Sequence, residues 1–265
     1  MPAVDLTRLR FQIEELFSFL EKPGFFHLHL KDLFSLYAHR ALRIGDSARP
    51  SSMIPQYQLP DPVLRQIKLD LPKFLKEDND NALSLADELW EDPYFEIKQL
   101  AIFILNHAAA KDPESVISRI KSWLIPDLDQ IVVVELLSSG TQNLREIYPQ
   151  TWETLMGSYL ADEKPKMISF GLQGLTAGVE RGSVLNLPAI YRMISPILQY
   201  PMEASYNRLI DLMEALSRRS PTETAFFLRQ TLAISDSPET VRVIKQVLPF
   251  FSGDIQKDLR TLVVK

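Results

Sequence analysis

Prolines recur along this chain at nearly even intervals, and most stand just ahead of a segment whose apolar residues fall at helical spacing. Pro93, Pro126, Pro165, Pro201 and Pro238 are separated by 33, 39, 36 and 37 residues, the differences of their numbers. Each interval has the length of two helices and their turns, and periods of this size mark helical repeat architectures. Proline fits the first turn of a helix, where the N–H it lacks would have no partner anyway. Asp92-Pro93, Asp112-Pro113, Ser220-Pro221 and Ser237-Pro238 each put a capping residue before the proline, the order expected at a helix start. After Pro113, the residues Val116, Ile117, Ile120, Trp123 and Leu124 keep helical spacing; after Pro238, Val241, Ile244, Val247, Leu248 and Phe251 do the same. Glycine is scarce, 9 residues against 18 prolines.

The alternating pattern of an exposed sheet is rare. Ile131-Val132-Val133-Val134 has the β-branched density of a strand, but its continuation through Glu135-Leu136-Leu137 favours a buried helix. The sequence therefore predicts an all-α fold: a right-handed α-solenoid of HEAT-like, armadillo-type repeats with about fourteen helices. One domain is expected over residues 1–265, with N-terminal helices and a loop over 1–60 and the repeats over 61–265. The proline- and serine-rich stretch from Asp46 to Pro62 reads as that loop, able to hinge an N-terminal cap. Ser138-Ser139-Gly140 reads as a helix end with the glycine in the left-handed conformation.

Composition narrows the chemistry. With 46% hydrophobic and 24% charged residues the chain can bury a sizeable core. It has no cysteine, which removes disulfides, thiol nucleophiles and Cys-ligated metals. No apolar run approaches the roughly 18 residues of a membrane span. The first residues are polar and charged, so a cytoplasmic location without membrane contact is expected. His27-x-His29 has imidazoles suited to zinc, but residues two apart on a helix point to different sides. No metal site and no small-molecule cofactor are expected.

Charge is unevenly spread. Residues 1–76 carry +3, residues 77–163 carry −12 and residues 164–265 carry +4, giving the total of −5. That total excludes a strongly basic nucleic-acid binder by bulk charge. An acidic middle weakens affinity for phosphates unless basic groups gather on a concave face. Arg192, Arg208, Arg218, Arg219, Arg229 and Arg242 are the candidates for such a lining, and equally for solvated outer-face positions.

The run from Ala82 to Trp90, followed by Asp92-Pro93-Tyr94-Phe95-Glu96-Ile97-Lys98-Gln99-Leu100-Ala101, resembles the bacterial DNA alkylation repair glycosylases of the AlkD type. Leu59-Pro60-Asp61-Pro62-Val63-Leu64-Arg65, Lys121-Ser122-Trp123, Trp152 and the segment from Leu209 to Leu228 are similar to corresponding elements, so the likeness covers most of residues 55–250. The resemblance implies HEAT-like repeats that cradle duplex DNA in a basic concave groove. It also implies hydrolysis of the glycosidic bond of cationic N3- or N7-alkylated purines without turning the base into a pocket. Such chemistry needs a fixed carboxylate against a developing oxocarbenium ion and aromatic faces for cationic character.

Carried onto this chain, the family aspartate falls on Asp129, with Asp127 as the fallback. Ile125 stands where the family has a tryptophan. Ile168, beside Met167 and near Lys164 and Lys166, stands where it has a basic residue, and Asp211 to Met213 cover its second tryptophan. Read by itself, Asp129 follows Pro126-Asp127-Leu128, precedes an apolar run and suits a helix cap. The expectation is a DNA-binding repeat protein with weak or absent N-glycosylase activity. The alternative is a non-catalytic scaffold whose concave groove takes a protein partner.

Overall fold

The proline-headed segments fold as helices. A computed structural model describes residues 4–38, 54–75, 79–183 and 186–263. Among the described residues there are sixteen α-helices and no strand. Two of the helices have only four and six residues, which leaves fourteen longer ones. Ile131–Val134 lies within a helix, as its continuation into Leu136 and Leu137 requires. The contacts divide the chain into two compact units, up to Asn143 and from Leu144 onward.

The first unit contains α1 (Leu6–Phe17), α2 (Pro23–Tyr37), α3 (Asp61–Asp70), α4 (Pro72–Leu75), α5 (Asn79–Trp90), α6 (Phe95–Ala108), α7 (Pro113–Trp123) and α8 (Gln130–Ser138). α5 and α6 form a helical hairpin across the turn at Glu91–Tyr94. α6 also packs on α3 and α8, and α5 packs on α2. Two layers result, α3–α6–α8 and α2–α5–α7. The second layer is joined through side chains: the Arg119 guanidinium grips the Asp87 carboxylate, with Nη2 2.7 Å and Nε 2.9 Å from its oxygens. One turn further on, the rings of Trp90 and Trp123 stack 4.2 Å apart at 4°. Asp87 to Arg119 and Trp90 to Trp123 span 32 and 33 residues, so two contacts one turn apart lock α7 against α5.

The second unit contains α10 (Pro149–Leu160), α11 (Pro165–Glu180), α12 (Leu187–Gln199), α13 (Tyr206–Arg219), α14 (Pro221–Ile234), α15 (Pro238–Val247) and α16 (Gly253–Val263); α9 (Gln142–Ile147) straddles the boundary. Alternate helices touch: α11 on α13 and α13 on α15, and α10 on α12, α12 on α14 and α14 on α16. This is the stacking by which helix pairs cover faces they cannot bury alone. The five evenly spaced prolines precede α6, α8, α11, α13 and α15, or begin them, and each of those helices belongs to one and the same kind of layer within its unit.

Several caps fall where sequence puts them. Asp112 accepts from the Ser115 amide at 3.0 Å, and Ser237 caps α15 through the Thr240 amide. Two differ. Asp92 does not cap α6; it is buried in the preceding turn and accepts from the Tyr94 amide at 2.9 Å. The Ser220 hydroxyl is turned to the Glu223 side chain rather than to a backbone amide. Gly140 also departs from expectation, since among the described glycines only Gly182 and Gly253 have positive φ. It is small for another reason: a Cβ there would meet the Leu136 carbonyl oxygen at 2.6 Å and Ile102 at 3.0 Å.

Residues 54–60 of the Asp46–Pro62 stretch are a strap without helix, its last two residues open α3, and the rest of that expected hinge lies outside the described residues. Glu96, buried on α6, holds the strap by accepting from the amides of Tyr57 at 3.0 Å and Gln58 at 2.8 Å. Gln58 takes φ 54°, a conformation sparsely populated by residues with a Cβ. Tyr57 stacks on Tyr94 at 4.2 Å and meets Phe34 edge-on at 5.5 Å. Removing an acceptor leaves buried donors unsatisfied, at about 1–3 kcal/mol each. Glu96→Ala is therefore expected to lower unfolding free energy by about 2–4 kcal/mol in urea denaturation, with Glu96→Gln losing less.

A second buried carboxylate ties α2 to the α5–α6 turn. Asp92 lies 2.7 Å from His27 Nε2 and 2.9 Å from Lys31 Nζ, while His27 Nδ1 is 3.0 Å from Glu88. Burial pushes the Asp92 carboxyl up, but the Tyr94 amide, Lys31 and His27 together hold it below its ordinary value. A carboxyl whose folded value is depressed adds stability that is complete above its unfolded value of about 3.9 and lost as pH falls through the folded one. Thermal melts between pH 5 and pH 2 should show a steeper acid loss in the native chain than in Asp92→Asn; equal slopes would remove this role.

Candidate nucleic-acid interface

The carboxylate that sequence singles out sits at a helix start. Pro126 and the turn closed by the Leu128 amide on the Ile125 carbonyl, at 3.1 Å, lead the chain into α8. Asp129 is the N-cap: its backbone is extended at φ −57° and ψ 137°, and its side chain accepts from the Ile131 amide at 3.0 Å. Its carbonyl takes the amides of Val132 and Val133. The carboxylate is thus fixed by the positive end of α8 and half-buried. Asp127, two residues before, is exposed. Ile125 is 51% exposed, so an aliphatic side chain occupies the outward place where the resemblance puts an aromatic one.

The tryptophans of this region belong to the core. Trp90 and Trp123 cover each other and are both buried, and Trp152 is buried in α10. Lys98, from the first turns of α6, donates to the Trp90 carbonyl and lies 4.5 Å from the centre of its ring. Burial pushes this ammonium below the ordinary lysine range, against the opposing pull of Glu91 and Asp92. The column Lys98, Trp90, Trp123 is a cation–π contact on top of an aromatic stack. In the layer that carries Asp129, Lys68 of α3 lies 5.7 Å from the Phe103 ring of α6. Burial lowers the Lys68 ammonium too, and Glu135 of α8 opposes it.

The two N-terminal histidines diverge as their spacing predicts. His27 faces Glu88 and Asp92, whereas His29 lies flat on Phe19 at 4.1 Å.

The six arginines are spread over four helices. Arg208, Arg218 and Arg219 are on α13, Arg242 is on α15, and Arg192 and Arg229 are on α12 and α14 in the other layer. Arg208 and Arg218 lie ten residues apart on α13, or about 15 Å along a helix. Near the start of α13, Arg208 pairs with Asp211 at 3.0 Å and Arg242 lies 5.8 Å from the Tyr206 ring. At its end, Arg218 pairs with Glu214, and Arg219 Nη1 donates to the Val179 carbonyl at 3.2 Å. Arg229 pairs with Asp258 at 3.2 Å, and Arg192 is exposed.

The other positions implied by the resemblance are also occupied differently. Ile168 is buried, with exposed Lys164 and Lys166 at the start of α11, and Leu212 and Met213 are fully buried in α13. Sequence reasoning missed the structural part played by Lys98.

Helix pairs stacked in two layers, with a capping aspartate opening a helix of one layer, define a helical repeat protein. Residues 52–164 match the family described as DNA alkylation repair enzyme. The family seen in the run from Ala82 to Ala101 is thereby upheld across that segment, which is less than half of the chain. No curated protein and no solved structure matches the chain at a significant level. No helix among the described residues is long and apolar enough to cross a membrane.

Asparagine caps a helix as well as aspartate does, whereas alanine costs about 0.5–2 kcal/mol. Asp129→Asn should therefore melt close to the native protein, and Asp129→Ala should lose about 1 kcal/mol by chemical denaturation. Equal melting of all three would show that the cap carries no stability.

Proposed function

We propose that this protein binds duplex DNA in alkylation repair and that its N-glycosylase activity is weak or absent. The observation that carries the first part is the match of residues 52–164 to the DNA alkylation repair enzyme family. The second part is supported by Ile125 and Ile168, an exposed aliphatic and a buried one, at positions where the resemblance calls for an aromatic face and a cation.

When a glycosidic bond to a cationic base breaks, the base leaves with the bonding electron pair and positive charge builds on the sugar ring. Asp129 supplies a carboxylate in a fixed place, which is what stabilisation of that charge requires. An aliphatic Ile125 has no electron-rich face for the cationic base, and such faces contribute about 0.5–2 kcal/mol each. A lone carboxylate without its aromatic flank lowers the barrier by less, so release is expected to be slow.

Binding to labelled duplex DNA should be measurable at low salt and fall steeply as salt rises. Release of 7-methylguanine or 3-methyladenine from methylated duplex, followed over hours, should be slow and should vanish in Asp129→Asn. Undetectable binding at low salt would end the DNA reading. Release at the uncatalysed rate would remove chemistry while leaving binding in place.

A further inference from the structure

Lys31, Lys68 and Lys98 are the half-buried lysines among the described residues. Two of them are engaged. The Lys31 ammonium lies 2.9 Å from the Asp92 carboxylate, and the Lys98 ammonium donates to the Trp90 carbonyl. Lys68, in the last turn of α3, forms no hydrogen bond and no ion pair among the described residues. Its Nζ lies instead 5.7 Å from the centre of the Phe103 ring of α6, which is itself half-buried.

Such a place acts on the nitrogen. An ammonium drawn out of water without an oxygen to donate to loses the groups that favour its charged form. Burial lowers the Lys68 ammonium below the ordinary lysine range, with the Glu135 carboxylate of α8 opposing. The neutral amine has a lone pair to give to a carbonyl carbon, and desolvation against apolar groups is how lysines are prepared for imine chemistry. Lys98 is buried too, but its nitrogen is committed to a carbonyl.

Position sets the class of substrate. α3 and α8 both pack on α6, so Lys68 belongs to the layer that carries Asp129. Helices in contact lie about 8–10 Å apart, which puts α3 and α8 about 16–20 Å from each other, or about five to six base pairs of duplex. A duplex bound at Asp129 therefore extends as far as Lys68. Loss of a base from DNA leaves a deoxyribose whose ring opens to an aldehyde at C1′, an electrophilic carbon that intact DNA does not offer to an amine.

We propose that Lys68 forms an imine with the C1′ aldehyde of an abasic site in duplex DNA. The proposal rests on the DNA-binding reading above, and it adds a step that needs no glycosylase activity in this chain. Nζ gives its lone pair to C1′, the C–N bond forms and the carbonyl oxygen takes up a proton from the amine. Loss of that oxygen as water leaves the imine. Protonated on nitrogen, the imine acidifies the C2′ hydrogens. One passes to water, the C2′–C3′ double bond forms, and the 3′ phosphate leaves with the C3′–O electron pair. Water then hydrolyses the imine and returns the amine, so no oxidant or reductant takes part.

The test incubates native protein with a labelled duplex carrying one abasic site, in the presence of sodium cyanoborohydride, which reduces an imine to a stable amine. A covalent protein–DNA band is expected. Lys68→Arg keeps the charge and Lys68→Met keeps the packing; with native melting checked, each should lose the band by roughly tenfold or more. Lys121→Arg, at an exposed lysine of α7 in the other layer, should trap as the native protein does.

Binding of undamaged duplex, measured in parallel, separates the two ways of failing. If native protein binds it and no band forms, or the band survives in both Lys68 variants, the imine at Lys68 is overturned while the DNA reading stands. If native protein binds no duplex, the DNA reading falls and the abasic substrate falls with it. Reductive methylation by formaldehyde at neutral pH, mapped by peptide, then reads the amine alone. Modification of Lys68 ahead of Lys121 supports an imine-forming amine, and modification no faster than Lys121 overturns it.

Discussion

Each helical hairpin of this chain has one more apolar face than it can cover, and the arrangement of all the other elements follows from that surplus. α6 shows it most plainly: Ile97, Leu100, Ala101, Ile102, Ile104 and Leu105 are all fully buried, on several sides of one helix. A helix apolar all round has to be surrounded. Here α5, α3 and α8 do so. In the second unit α13 buries a single apolar stripe, with Leu209, Leu212, Met213 and Leu216 fully buried and Arg208, Asp211, Glu214 and Arg218 on its other sides.

Stacking by hydrophobic burial alone leaves register loose, and polar groups bonded between distant segments make it definite. Asn106 accepts from the Asn143 amide at 2.7 Å, and Tyr191 meets the Thr224 hydroxyl at 2.9 Å. Thr240 and Ser235 both bond to the Gln199 carbonyl, at 2.9 and 2.8 Å. These groups are wholly or largely buried, so a slip of one helical step would strand them without partners, a penalty larger than their net contribution when paired. The same economy governs Asp129. A cap and an electrostatic stabiliser both require a carboxylate that does not move, and the start of α8 supplies that condition for either purpose.

The acidic segment takes on a definite meaning in the structure. Part of its negative charge is consumed in holding repeats together: Asp87 by Arg119, and Asp92 by Lys31, His27 and the Tyr94 amide. Glu96 is spent on the strap. The excess acid of residues 77–163 is therefore partly internal framework and not all of it is a surface presented to a partner. The arginines behave likewise, since three of the six proposed as a lining pair with carboxylates on their own or a neighbouring helix.

Periodicity and punctuation in the sequence were enough for the helices, most of their starting points and the repeat, because both are properties of a local stretch. Proline closes off the preceding turn wherever it stands, and apolar residues at helical spacing make a stripe whatever packs on it. The capping role of Asp129 was legible for the same reason. What the residues could not disclose were meetings between distant segments. Trp90 and Trp123 lie 33 residues apart, and their stack exists only because folding lays α7 against α5. Ser220 and Gly140 also show the limit, since a hydroxyl chooses among partners and a glycine answers to a crowding carbonyl that folding brings near. The separation of the six arginines into two layers and two ends of α13 depends on how helices stack. Charge acts through distance in space, and tertiary structure alone sets that distance.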